Sequence, residues 1–345
     1  MGNIKDLSLV QIKDYLVRMN EPPYRALQVA RWVFQRGCLS WEEMTDLPKE
    51  LRAELKEQFS LTGVTLWQKQ VSRRGDTVKY LLGLGDGQAV EAVFMRHRYG
   101  RTVCVSSQVG CRMGCLFCAS TIGGLVRNLS PGEMYDQVMV AQRDAGERVS
   151  HVVLMGTGEP LENYEQVMVF LEHLTAPYGL HLSWRHITIS TCGVVPGILR
   201  LAERRLPLTL AVSLHAPNDE LRSRLVPVNR RYPLKELMAA CREYVRLTRR
   251  RLTFEYVLLD GVNDSVSCAR ELAYLVRGLL CHVNLIPANP VPDRPFVAPS
   301  PPERVAVFKR VLERAGVKVT MRRELGADID AACGQLRRRV LGLYG

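Results

Sequence analysis

The sequence predicts an α/β fold: a parallel sheet of βα units, open or closed into a barrel, following a small N-terminal helical domain and a short β extension. Three observations carry this reading. Helix-period apolar spacing fills residues 1–60, two strand-like runs around an Asp-Gly pair follow, and beyond residue 101 strand-like and helix-like segments alternate.

In order along the chain, "LSLVQIKDYLVRM" spaces its apolar residues at three and four, as a helix requires. "PPYRALQVARWVFQRG" opens on prolines and stops at Gly37, and "PKELRAELKEQF" forms a third helix. "TVKYLLGL" (77–84) and "QAVEAVFM" (88–95) flank Asp86-Gly87, a hairpin signal, and "RTVCVSS" (101–107) is the next strand. Further strands are expected at 151–156, 186–191, 208–214, 254–259, 282–286 and 317–321. Helices are expected at 131–145, 163–175, 233–247, 265–277 and 302–314. Residues 287–302 hold seven prolines and read as an extended loop or flap. In such folds function gathers at the C-terminal ends of the strands.

The chain has 345 residues, 47% hydrophobic, enough for one large core and a smaller unit. No apolar run reaches membrane-span length, and Lys5 and Asp6 interrupt any signal-peptide pattern, so the expectation is a soluble, cytoplasmic protein. The formal charge is +12, and residues 185–251 hold fourteen Lys/Arg against five Asp/Glu, a net +9. A field of that sign favours phosphate backbones, although a solvated basic surface gives the same count. Ten cysteines in a chain of this kind are not a secreted disulfide framework.

Three of those cysteines, Cys111, Cys115 and Cys118, fall within "VGCRMGCLFCAS" with the spacing Cys-x3-Cys-x2-Cys. Structural zinc needs a fourth ligand, and the nearest histidine downstream is His151. A chance group of buried thiols is a second reading. A [4Fe–4S] cluster with three protein ligands is the third, and the spacing favours it; one iron would then stay open to a small molecule.

With Phe117 before the last cysteine, the triplet resembles the radical S-adenosylmethionine (SAM) signature, in which the methionine amine and carboxylate of SAM chelate the open iron. "CVSSQVGCRMGCLFCAS", "RNLSPGEM", "MGTGEPLENY", "ISTCGVVPGI", "AVSLHAPND", "NLIPANPV" and "DIDAACGQLRRRV" together resemble the RlmN/Cfr family of radical SAM RNA adenosine methyltransferases along essentially the whole chain. Thr157 and Cys192 depart from the family pattern. The resemblance implies a partial (β/α)6 barrel over 101–325. It also implies a helical RNA-binding domain over 1–65, a β extension over 66–100 and a C-terminal segment over 326–345.

The family's roles carry over residue by residue. Cys111, Cys115 and Cys118 would hold one [4Fe–4S] cluster. Gly158, Glu159, Ser190, Ser213, Leu214, His215 and Asn289 would contact SAM, two molecules being used per turnover. Cys333 would be an S-methylcysteine methyl carrier, Glu91 the proton acceptor, and Cys104 the resolving cysteine that pairs with Cys333 in a disulfide. Unaided, Cys104 and Cys333 read as small core residues and Glu91 as a charge on the exposed face of an alternating strand.

Carbon 2 of adenine is not nucleophilic, which is why a radical route would be needed. The implied substrates are adenosine 2503 of 23S rRNA and adenosine 37 of tRNA. The implied partners are these RNAs and a flavodoxin- or ferredoxin-type electron donor, with the enzyme a monomer. Methylation of carbon 8, as in the Cfr branch, uses the same cysteines, but "FCASTIGGLVRNLSPGEM" and "ISTCGVVPGI" read more like the RlmN branch. A non-catalytic RNA-binding protein with a structural metal is an alternative of a different class.

Overall fold

Ten strands rich in Val, Leu, Ile and Thr build one sheet. They are β1 (Val64–Val71), β2 (Thr77–Leu84), β3 (Ala89–His97), β4 (Gly100–Cys104), β5 (His151–Leu154), β6 (Ile187–Thr191), β7 (Thr209–Ser213), β8 (Leu252–Leu258), β9 (Cys281–Pro287) and β10 (Val319–Met321). The structure, a computed structural model, describes residues 2–290, 294, 297–322, 328–329, 335–340 and 342. Strand order is β10-β9-β8-β7-β6-β5-β4-β3-β2-β1, so each strand lies beside its neighbour in the chain. Strands β4 to β10 pair in parallel and β1 to β4 antiparallel. The expected α/β architecture is observed, a mixed sheet with helices in which the parallel run is unclosed, as a partial barrel is, and counts seven strands, the last a three-residue edge. The turn at Asp86-Gly87 forms as expected, with Gly87 at φ +78°.

The helices are α1 (Leu9–Arg18), α2 (Arg25–Ala30), α3 (Lys49–Gln58), α4 (Pro131–Ala145), α5 (Tyr164–Thr175), α6 (Val195–Glu203), α7 (Asp219–Leu225), α8 (Leu234–Thr248), α9 (Val266–Leu275), α10 (Pro302–Arg314) and α11 (Gln335–Val340). Helix α4 starts where the sequence says it should. The Ser130 hydroxyl accepts from Glu133 N–H, the Glu133 carboxylate accepts from Ser130 N–H, Pro131 opens the first turn, and Gly146 closes the helix at φ +63°.

Period-two alternation gives the sheet two faces. Val152, Leu154, Ile187, Ile189, Leu210, Val212, Phe254, Tyr256, Val283 and Leu285 face one way, into the main apolar core. The opposite, inner face is polar. Register aligns Lys79 with Val93 and Val93 with Cys104; it aligns Leu81 with Glu91, and Ser213 with Glu255 and Asn284. Glu91, Cys104, Ser190 and Ser213 therefore all lie on this inner face.

The N-terminal helices share the same core. Helix α2 widens into a π turn over Arg31–Arg36 and ends at Gly37, where any Cβ would lie 2.3 Å from Met139 Cε. Phe34 stacks on His173 of α5 at 4.0 Å, and the Tyr135 hydroxyl donates to the Phe34 carbonyl at 2.7 Å. Asp136 on α4 is a buried anchor. It pairs with Lys5 at 2.8 Å and accepts from Asn3 Nδ2 at 3.0 Å and Gly63 N–H at 2.7 Å.

Candidate functional site

The three cysteines sit where the chain leaves β4. Gly110, at φ +74°, turns the chain; a Cβ there would fall 2.0 Å from the Gly124 carbonyl oxygen. Cys111 and Cys115 are buried in an apolar pocket with Met113, Ala216, Leu225 and Val226, and Phe117, Cys118 and Cys192 pack against it. The loop is pinned from several sides. Cys111 N–H donates to Gly124 O (2.9 Å), Leu116 N–H to Leu225 O (3.0 Å), and the Thr121 hydroxyl to Cys118 O (2.9 Å). Arg294, from the proline-rich segment, donates to Cys115 O at 2.9 Å.

Burial pushes the Cys111 and Cys118 thiols above the ordinary range. Cys115 Sγ lies 3.8 Å from Cys192 Sγ. Among the described residues no three His, Cys, Asp or Glu side chains are gathered to hold a single ion. Three soft thiol donors on one dry loop at a strand end do fit iron–sulfur ligation, in which each thiolate binds its own iron.

The neighbouring strand ends complete the pocket. After β5, Gly156 and Gly158 turn against the continuation of β4. A Cβ on Gly158 (φ +111°) would fall 2.7 Å from Gln108 Cβ, and one on Gly156 would fall 2.7 Å from Val105 O. The close approach that demands these glycines is to the chain itself. The Glu159 carboxylate accepts from Cys192 N–H at 2.6 Å and Leu161 N–H at 3.0 Å, tying the end of β5 to that of β6. Burial lifts its pKa to about 7.

His215 follows β7 in the left-handed region (φ +57°), in edge contact with Phe117 at 4.7 Å. Its Nδ1 accepts from Val257 N–H at 3.0 Å, and burial pulls its pKa down to about 3. The ring is therefore neutral, with its proton on Nε2. Leu214 is buried, Ser190 and Ser213 are half-buried, and Asn289 is exposed just beyond β9.

A second group lies on the same inner face. Glu91 is 4% exposed rather than solvated, and pairs with the buried Lys79 at 2.9 Å. Its Oε1 accepts from the Arg337 backbone N–H at 2.7 Å, and Leu336 packs with Leu81 and Ala89, so α11 docks on β3 at Glu91. Cys104 neighbours Val93 in register, one inward position along β3 from Glu91. Cys333, two residues before α11, lies outside the described residues.

Sequence reasoning missed Lys79, Arg222, Asn263, Glu255, Asn284 and Arg294. Asn263 bonds Leu259 N–H and the His215 and Val257 carbonyls, and Asn284 donates to Glu255 at 2.8 Å. Lys79 and Glu255 carried the same signal as Glu91, a charge within an apolar strand.

Residues 105–267 match the model of the radical SAM superfamily, which defines the chain as a radical SAM protein. Residues 2–61 match the ribosomal RNA large subunit methyltransferase N-terminal domain. Proteins named "Probable dual-specificity RNA methyltransferase RlmN" are 59% identical in Desulforamulus reducens (98% of this chain, 96% of that one) and 61% identical in Pelotomaculum thermopropionicum (98% and 92%). The crystal structure of a radical SAM methyltransferase from Sphaerobacter thermophilus is 48% identical, with a TM-score of 0.93 over 97% of this chain and 99% of that one. The chain belongs to the RlmN family of radical SAM RNA methyltransferases. It is an enzyme, and the alternative of a non-catalytic RNA-binding protein falls. No helix among the described residues is long and apolar enough to cross a membrane.

Proposed function

We propose that this enzyme methylates carbon 2 of adenosine, at position 2503 of 23S rRNA and position 37 of tRNA, through an S-methylcysteine at Cys333. The observation that carries the reading is the common placement of Glu91 and Cys104 on the inner face, with the helix that directly follows Cys333 docked on Glu91.

Cys111, Cys115 and Cys118 would hold the [4Fe–4S] cluster. Gly158, Glu159, Ser190, Ser213, Leu214, His215 and Asn289 surround the same strand ends and would seat SAM. When bound, SAM on the open iron supplies a carbon-centred radical. The chain's own part is positional. The Glu159 carboxylate ties two strand ends together. The neutral His215 presents an N–H rather than a charge, and the apolar loop keeps water from the reacting centre. Glu91 would take the ring proton, and Cys104 would pair with Cys333 as the product leaves. Two SAM per turnover, a flavodoxin- or ferredoxin-type donor, a monomeric state and a cytoplasmic location complete the proposal.

The test is mass analysis of the tryptic peptide 324–337, "ELGADIDAACGQLR", from anaerobically purified enzyme, followed by nucleoside analysis of treated rRNA and tRNA. A methylated Cys333 with 2-methyladenosine in both RNAs is expected. A thiol that stays unmodified after incubation with SAM refutes the carrier, 8-methyladenosine places the enzyme with the Cfr branch, and unmodified tRNA removes the second substrate.

A further inference from the structure

Arg222, at the middle of α7, is 0% exposed. Its guanidinium donates to the carbonyls of Leu214 (3.1 Å), Ser213 (3.2 Å) and Cys192 (2.7 Å) and to Asn229 Oδ1 (2.8 Å). Every one of these acceptors is neutral. Among the described residues no carboxylate lies within ion-pair distance. Asp219, on the same helix, has its Oδ1 engaged by Asn229 Nδ2 and Leu234 N–H. The guanidinium instead borders the cysteine pocket: the carbonyl it binds at 2.7 Å belongs to Cys192, whose Sγ lies 3.8 Å from that of Cys115. A buried cation without a counter-charge is costly, and proteins retain one where an anion is to be met.

We infer that Arg222 is the counter-cation of the cysteine pocket: it offsets the negative charge of the thiolate-bound cluster and raises that cluster's reduction potential. The inference rests on Cys111, Cys115 and Cys118 being the cluster ligands. Three thiolates make the loaded loop net negative, and uptake of the activating electron adds one further negative charge. A fixed positive charge in the same dry pocket favours the reduced form, because net charge, burial and hydrogen bonding set such potentials. Of the other cations at the loop, Arg294 is only partly buried and Arg112 is exposed and paired with Glu162, so both are screened by water and Arg222 has the larger influence.

The test uses anaerobic full-length enzyme and the variants Arg222→Gln, Arg222→Met and Arg222→Lys. Iron and sulfide content are measured, and the midpoint potential is read by EPR-monitored reductive titration. The neutral variants are expected to load the cluster but reduce at a more negative potential, while Arg222→Lys stays near the wild type. A cluster lost in both neutral variants and retained with lysine supports the same assignment. A neutral variant with the wild-type potential, a lysine variant shifted as far as the neutral ones, or neutral variants that are insoluble beside a soluble, loaded lysine variant overturns it. Wild-type protein that binds zinc or no metal refutes the ligand reading itself, which is a distinguishable outcome.

Discussion

His173 makes the docking of the N-terminal helices sensitive to acid. It is 1% exposed, stacked on Phe34, with Nδ1 3.1 Å from the Tyr178 hydroxyl and Tyr135 at its edge. No carboxylate faces it, and its Nε2 has no hydrogen-bond partner. Burial therefore pulls its pKa from 6.5 to about 4. Because the folded-state pKa is depressed, the unfolded chain takes up the proton first. Stability is fully present above pH 6.5 and is lost as pH falls toward 4. Integrating between those values, the loss is about 2 kcal/mol at pH 5 and about 3 kcal/mol once complete. Urea unfolding at pH 7.5 and pH 5, followed by the fluorescence of Trp32 and Trp41, measures it. The wild type should lose about 2 kcal/mol more between the two pH values than His173→Gln. Equal losses in the two proteins refute the reasoning.

Other substitutions probe the remaining contacts. Lys79→Met takes the ammonium from the buried Glu91 carboxylate and should cost about 3–5 kcal/mol in urea unfolding, with much of it restored by Glu91→Leu in the same chain; a cost under about 1 kcal/mol contradicts the buried pair. Asp136→Ala leaves Lys5 charged and unpaired against α4, and should cost a similar 3–5 kcal/mol or so and speed tryptic cleavage within residues 1–60. Gly158→Ala puts a methyl 2.7 Å from Gln108 at φ +111°, so bound iron should fall sharply in iron and sulfide analysis; full loading would show that this turn yields.

Local chemistry was legible where it acts over a few residues. The helix over 131–145, the Asp86-Gly87 hairpin and the stop at Gly37 are written in adjacent letters, and the structure has them. What depends on register was not legible. Period-two alternation says that Glu91 and Val90 face opposite ways, but not that the polar face is also covered. Glu91 looked solvated until Lys79 on the neighbouring strand and α11, about 246 residues further along, closed over it. Strand β1 escaped because most of its side chains face solvent and carry no apolar run. Arg222 sat among the charges counted as a basic surface, since nothing local distinguishes a solvated arginine from one sealed behind a strand end.

The anchoring of Lys5, Asn3 and Gly63 on Asp136 has a consequence for how the molecule measures its substrate. Helix α4 leaves the cysteine loop only a few residues after it ends, and the N-terminal helices are bolted to that same helix by a buried charge and a shared core. The two parts behave as the fixed jaws of a calliper rather than as beads on a string. On the proposed reading, in which the helical unit holds the RNA, the substrate would meet the loop at a set reach, and molecular dimensions as well as base identity would decide which nucleoside arrives.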